Sequence, residues 1–179
     1  MKIIIPLAEG FEEIEAVTSI DLLRRGEIEV TTVALAGNEV KGAHGIVIKA
    51  DQKISAIQAA DYDGIVLPGG MPGSVNLRDN QIVINLVSQL FRQNKLVAAI
   101  CAAPIVLEKA GILRGKQATS YPNFDQEMPS CDYREERVVL DQNIITGRGP
   151  GVAMEFSLAI VQYLSGEEKA GQLKKALLV

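Results

Sequence analysis

A chain of 179 residues, 47% hydrophobic and 22% charged, can bury one substantial core, which excludes a disordered or fibrous polymer. A formal charge of −4 leaves no basic footprint for nucleic acid, and no apolar run approaches a membrane span, so neither nucleic-acid nor membrane partners are expected. Cys101 and Cys131 are too few and too far apart for a disulfide framework or a zinc site, which predicts a reducing, cytoplasmic setting.

The N-terminal MKIIIPLAEGFEEIE has a short apolar run followed by glutamates, unlike a signal peptide. Lys2–Pro6 reads as a buried strand, and the stretch from about Phe11 to Arg25 as a helix with an acidic first turn. Ile28–Leu35 is β-branched, Gly45–Asp51 is a shorter strand, and SAIQAADY is a brief helix. DGIVLPGG reads as a buried strand ending in a glycine turn, with a helix following around Gln81–Gln93. Lys95–Ile100 is another apolar run; after Cys101, alanines, Pro104 and Leu107 to Lys109 read as a helix that Gly111 closes. Lys116–Ser120 starts a strand, RVVLDQNIIT is strand–turn–strand, and GVAMEFSLAIVQYLSG is a helix ending at Gly166. This alternation predicts an α/β fold with a mostly parallel sheet and helices on both faces. No repeat, low-complexity tract or linker divides it, so residues 1–179 are expected to form a single domain.

In such sheets, ligands bind on loops beyond the carboxyl ends of the strands. AEGFEE, PGGMPGS and Cys101 follow three predicted strands, so parallel pairing would bring them to one edge. Gly69 and Gly70 would let backbone N–H groups approach a ligand oxygen. PGGMPGS lacks the Lys-Ser/Thr of a phosphate loop, and TGRGPGVA misplaces the third glycine of a dinucleotide fingerprint, although that turn before a helix could hold an anion. Cys101 between strand and helix N-terminus predicts a thiol of depressed pKa that is oxidised in preference to Cys131. Among Glu9, Glu12, Glu13 and Glu15, periodicity turns Glu15 inward beside the thiol but does not choose it over Glu12 or Glu13. The single histidine, His44, would serve Cys101 as a base only by folding over it or reaching it from another subunit.

AEGFEEIEAV, DLLRRGEIEVT, VLPGGMPG, AAICAAPIVL, TSYPNF and ITGRGPGVAMEFSLAIV, in that order, resemble the ThiJ/PfpI (DJ-one) superfamily. The branch they resemble is that of the parkinsonism-associated deglycase and its bacterial YajL-like relatives. The resemblance implies a flavodoxin-like three-layer sandwich and a homodimer. It implies that Cys101 is a nucleophile-elbow cysteine, that Glu15 is a protonated glutamate bonded to it, and that Gly70 and Ala102 offer oxyanion-hole amides. It puts Arg25 and His44 near an anion site at the dimer interface.

The function implied is cysteine-dependent, glutathione-independent conversion of α-oxoaldehydes such as methylglyoxal and glyoxal to hydroxy acids, deglycation of early glycation adducts, or both. The other reading is a redox-sensing chaperone whose cysteine becomes a sulfinate without turnover. Proteases of the superfamily carry histidine directly after the cysteine, where this chain has Ala102. No cofactor or metal is expected, only a small aldehyde or a glycated adduct. CAAP stands where CAGP is usual, and Tyr121 where the deglycase branch has histidine, so a histidine proton shuttle is not expected.

Overall fold

In the computed structural model, which describes residues 1–179, the chain runs β1 (Lys2–Leu7), α1 (Glu13–Arg25), β2 (Glu29–Ala34), β3 (Glu39–Lys41), β4 (Val47–Lys49) and β5 (Gln52–Lys53). Next come β6 (Gly64–Leu67), α2 (Gly73–Arg78), α3 (Gln81–Arg92), β7 (Leu96–Ile100) and α4 (Pro104–Lys109). The last third holds β8 (Gln117–Ala118), β9 (Asp132–Tyr133), β10 (Val138–Asp141), β11 (Ile144–Gly147), α5 (Ala153–Ser165) and α6 (Glu167–Leu177). Seven strands form the central sheet in the order β10-β11-β7-β6-β1-β2-β5. All neighbours are parallel except β10, which returns antiparallel to β11 through the tight Gln142–Asn143 turn.

The apolar runs are nearly continuous because both faces of the sheet are covered. Successive side chains still alternate: Ile3, Ile5 and Leu7 pack with Phe11, Leu22, Leu23, Phe156 and Val161, whereas Ile4 joins Ile65, Leu67, Leu86, Leu90 and Val106. One layer therefore holds α1, α5 and α6 and the other α2, α3 and α4, giving the flavodoxin-like sandwich. No helix is long and apolar enough to cross a membrane.

Three local expectations are corrected. Val47–Lys49 pairs with Glu39–Lys41 as a separate antiparallel hairpin and stays outside the main sheet. Gln117–Ala118 likewise pairs only with Asp132–Tyr133, and SAIQAADY splits into two 3₁₀ turns at Ile54–Ala56 and Ala59–Asp61. Helix α6 follows Gly166, whose φ of 89° reverses the chain; only Ala170 and Leu173 of α6 are buried, so its apolar stripe is narrow.

Candidate functional site

The connections run outward from β1 to β2 and β5, then cross back to β6, β7 and β11. This reversal opens a crevice between the carboxyl ends of β1 and β6, where doubly wound sheets bind ligands. The three loops picked out in the sequence converge there. The Glu12 amide donates to the Gly69 carbonyl at 2.9 Å, and the Gly73 amide to the Gly10 carbonyl at 3.3 Å. The packing leaves no room for side chains: a Cβ on Gly70, whose φ is +90°, would lie 2.4 Å from the Glu12 nitrogen. One on Gly69 would lie 2.6 Å from both Cys101 Cβ and Glu15 Oε2.

Cys101 leaves β7 with φ +64°, a left-handed conformation that costs a non-glycine residue energy and persists only when its surroundings enforce it. Here its amide donates to the Gly147 carbonyl and its carbonyl accepts from the Tyr121 amide, both at 2.9 Å. The turn aims the half-buried sulfur at the backbone amides of Ala102 and Gly70, which favour negative charge on it. Gly69 departs from expectation, because its amide donates to Glu15 Oε2 at 2.7 Å and is not free for a ligand oxygen.

Glu15 is fully buried in the first turn of α1, and its carboxyl meets the Cys101 side chain. Its second oxygen, Oε1, has no other hydrogen-bond partner, which leaves a position for a proton. Burial raises the Glu15 pKa to about 7, against the opposing bonds from Gly69 and Cys101. The thiol does not have the depressed pKa expected from the sequence. Burial and then the Glu15 charge push it up, outweighing the two amides. Helix α4 contributes little, since it is six residues long and begins three residues beyond the sulfur. The pair therefore carries at most one negative charge, gained as Glu15 ionises near neutrality.

Tyr121 stands at the rim, 47% exposed, with a phenol that makes no hydrogen bond within the chain. Arg25 and His44 are not brought together. Arg25 pairs with Asp21 at 2.7 Å near the carboxyl end of α1, while His44 sits at the amino end with Nδ1 2.9 Å from Glu13 Oε2. The sequence left Glu13 open as an alternative to Glu15 for the inward position; it too is buried, but it accepts the His44 and Ile46 amides at 2.7 and 3.3 Å. No periodicity signals this role, because its partners lie about thirty residues away. Ligand atoms of Glu12, Glu13 and His44 fall within 4.8 Å of one another, a spacing suited to a cation, but the His44–Glu13 contact already fills that space.

Residues 1–163 match the DJ-1/PfpI family. The chain belongs to that family. It is 41% identical over 176 residues to Protein dj-1beta of Drosophila melanogaster, covering 97% of this chain and 94% of that one. It is 34% identical to "Glutathione-independent glyoxalase DJR-1.2" of Caenorhabditis elegans, covering 94% of this chain and 91% of that one. The solved structure "Toxoplasma gondii DJ-1, oxidized" superposes with a TM-score of 0.95 at 39% identity, covering 99% of this chain and 97% of that chain. Two Arabidopsis thaliana DJ-1 homologues, B and A, are longer, and the chain spans only 41% and 46% of their length. Cys101, Glu15 and the Gly70 and Ala102 amides all lie within the matched residues.

Proposed function

We propose that this DJ-1/PfpI protein is a cysteine-dependent, glutathione-independent glyoxalase that converts α-oxoaldehydes to 2-hydroxy acids. The reading rests on one observation: a strained cysteine whose sulfur faces two backbone amides and a buried glutamate that titrates near neutrality. A group half-ionised at neutral pH suits acid–base work in both directions. The glyoxalase name of the Caenorhabditis relative supports the same chemistry. Deglycation of early adducts would use the same nucleophile.

The steps balance without an external oxidant. Ionised Glu15 takes the Cys101 proton as sulfur attacks the aldehyde carbon, and the Gly70 and Ala102 amides hold the resulting oxyanion. Protonated Glu15 returns its proton to that oxygen, giving a hemithioacetal. It then moves the proton on C1 to C2 through an enediol, so that C1 is oxidised and C2 reduced within one molecule. Water cleaves the 2-hydroxyacyl thioester and restores the thiol. With Ala102 directly after Cys101 and His44 committed to Glu13, no histidine base serves this sulfur, which disfavours a protease.

The second reading, a redox sensor, is favoured by the same two amides, which would equally receive sulfinate oxygens. The decisive experiment is steady-state turnover of methylglyoxal by reduced protein, with the hydroxy acid followed by NMR. Sustained turnover that Cys101→Ser abolishes supports the enzyme; consumption of one or two equivalents supports the sensor and sinks the glyoxalase.

A further inference from the structure

Resting on the glyoxalase reading, we infer that the groove between Tyr121 and the Arg148–Val152 turn binds the carboxylate tail of the substrate, making anion-terminated α-oxoaldehydes the preferred class. The groove is open to solvent and offers about 300 Å³, the lower end of the roughly 300–1,000 Å³ that ligand pockets span, and exceeds what methylglyoxal alone would fill. It adjoins the nucleophile through the backbone. Its two walls are the segments that clamp Cys101, since Tyr121 donates its amide to the Cys101 carbonyl and Arg148 follows the glycine that accepts from the Cys101 amide. A larger cavity of about 460 Å³ between β10, α5 and α6 shares Arg137 with this groove but none of the segments that clamp Cys101.

The walls are built for an anion. Arg148 and Arg137 both line the groove. The Arg148 guanidinium is fixed through NH1 to the Glu135 backbone carbonyl at 2.6 Å, a neutral acceptor that leaves its charge largely uncompensated. The nearest carboxylate, that of Glu135, lies 3.8 Å away on a side chain 83% exposed to water. Arg137 gives its Nε to Glu155 at 2.7 Å and reaches the Gly151 carbonyl only at 3.5 Å, so part of its fork remains for a ligand. A planar guanidinium pair matches a carboxylate in charge and geometry. Between them, the Gly149 and Gly151 amides donate to no backbone carbonyl, and the 13-residue helix α5 opens with no side-chain cap. Gly149 also holds the turn against the Tyr121 ring, which a Cβ there would approach to 3.2 Å. The groove thereby joins the TGRGPG turn to the segments that hold the Cys101 backbone.

The test compares methylglyoxal with 4,5-dioxopentanoate, which has the same oxoaldehyde head and adds a carboxylate on a two-methylene spacer. The reduced wild-type protein should show kcat/KM about tenfold higher for the carboxylate, the worth of one charge-assisted contact. In R137Q, R148Q and the double variant, the ratio of the two kcat/KM values should fall toward one, with R148K keeping more of it than R148Q. Turnover of methylglyoxal with no preference, or a ratio the substitutions do not move, overturns the tail site and leaves the glyoxalase reading intact. If neither aldehyde is turned over, the glyoxalase reading fails, and alkylation of Cys101 by iodoacetate and by iodoacetamide at low salt decides the groove. The iodoacetate-to-iodoacetamide rate ratio should drop several-fold in the double variant; an unchanged ratio overturns the inference.

Discussion

A carboxyl group buried beside a thiol forces a decision about where one negative charge resides, and pH reports it. Folded Glu15 keeps its proton to about pH 7, whereas the unfolded chain releases it near 4.5. The folded state thus binds the extra proton between those values. Stability from this group is fully present below 4.5 and is lost as pH rises toward 7. The shift corresponds to about 3 kcal/mol by pH 8. Glu15→Gln removes that penalty while keeping an acceptor for the Gly69 amide and a donor toward sulfur. Its melting temperature should exceed the wild type's by about 5–10 °C at pH 8 and match it at pH 4.5, read by calorimetry at both. Equal curves at both pH values would show Glu15 titrating normally. The same variant should lose turnover, because an amide cannot relay a proton. At the rim, the Tyr121 phenol bonds to nothing in the chain, so Tyr121→Phe should change methylglyoxal kcat less than threefold, that is, by under about 1 kcal/mol. A drop of a hundredfold would make the phenol the acid–base group and displace Glu15 from that role.

Glu13 acts between elements, fastening the β3–β4 hairpin to the start of α1. Gly42 permits this, since a Cβ there would lie 2.3 Å from Glu13 Oε1. Hydrogen bonds from His44 and Ile46 outweigh the cost of burial and hold the Glu13 pKa below the usual range, while the Glu13 bond raises that of His44. Glu13→Ala should destabilise the fold by about 2 kcal/mol and speed hydrogen exchange at the His44 and Ile46 amides, with Glu13→Gln recovering part of both. Exchange confined to the wild-type rate would show the hairpin to be held by its apolar contacts. This fastening also marks where reading the sequence ends. Strands β1, β6, β7 and β11 were legible because their unbroken apolar runs tolerate no other environment. So was the meeting of the AEGFEE, PGGMPGS and Cys101 loops at one edge, given the parallel pairing of β1, β6 and β7, whereas the choice of Glu15 over Glu12 and Glu13 came from the family resemblance and not from periodicity. The Glu13–His44 contact spans chain positions unrelated by any period. The raised thiol pKa depends on a desolvation that only packing reveals. Helix α6 escaped notice because two buried side chains in eleven residues make too faint a stripe.

At the scale of the whole molecule, the exposed apolar surface is unevenly spread. Ile14 and Val17, one turn apart on α1, are 58% and 47% exposed, and Ile46 and Val47 at the hairpin are 56% and 53% exposed. The two elements adjoin, for a groove between α1 and β4 is lined by Val17, Ile20 and Ile48 among others. Exposed apolar residues gathered on two adjoining elements suit an interaction surface. The homodimer that the family resemblance implies would use it, because a two-fold axis across α1 would cover the face with itself. The same packing would resolve the separation of Arg25 and His44. They lie at opposite ends of a 13-residue helix, roughly 18 Å apart at 1.5 Å per residue, too far to share one anion within a chain. Antiparallel α1 helices would set His44 of one copy against Arg25 of the other. We therefore expect a dimer in sedimentation velocity at micromolar concentration and a monomer for Val17→Asp, whose exposed position should leave melting of the isolated chain nearly unchanged. Sulfate should stabilise the wild-type dimer and have less effect on Arg25→Gln. A wild-type chain that sediments as a monomer at 100 μM would remove both the dimer and the shared anion site.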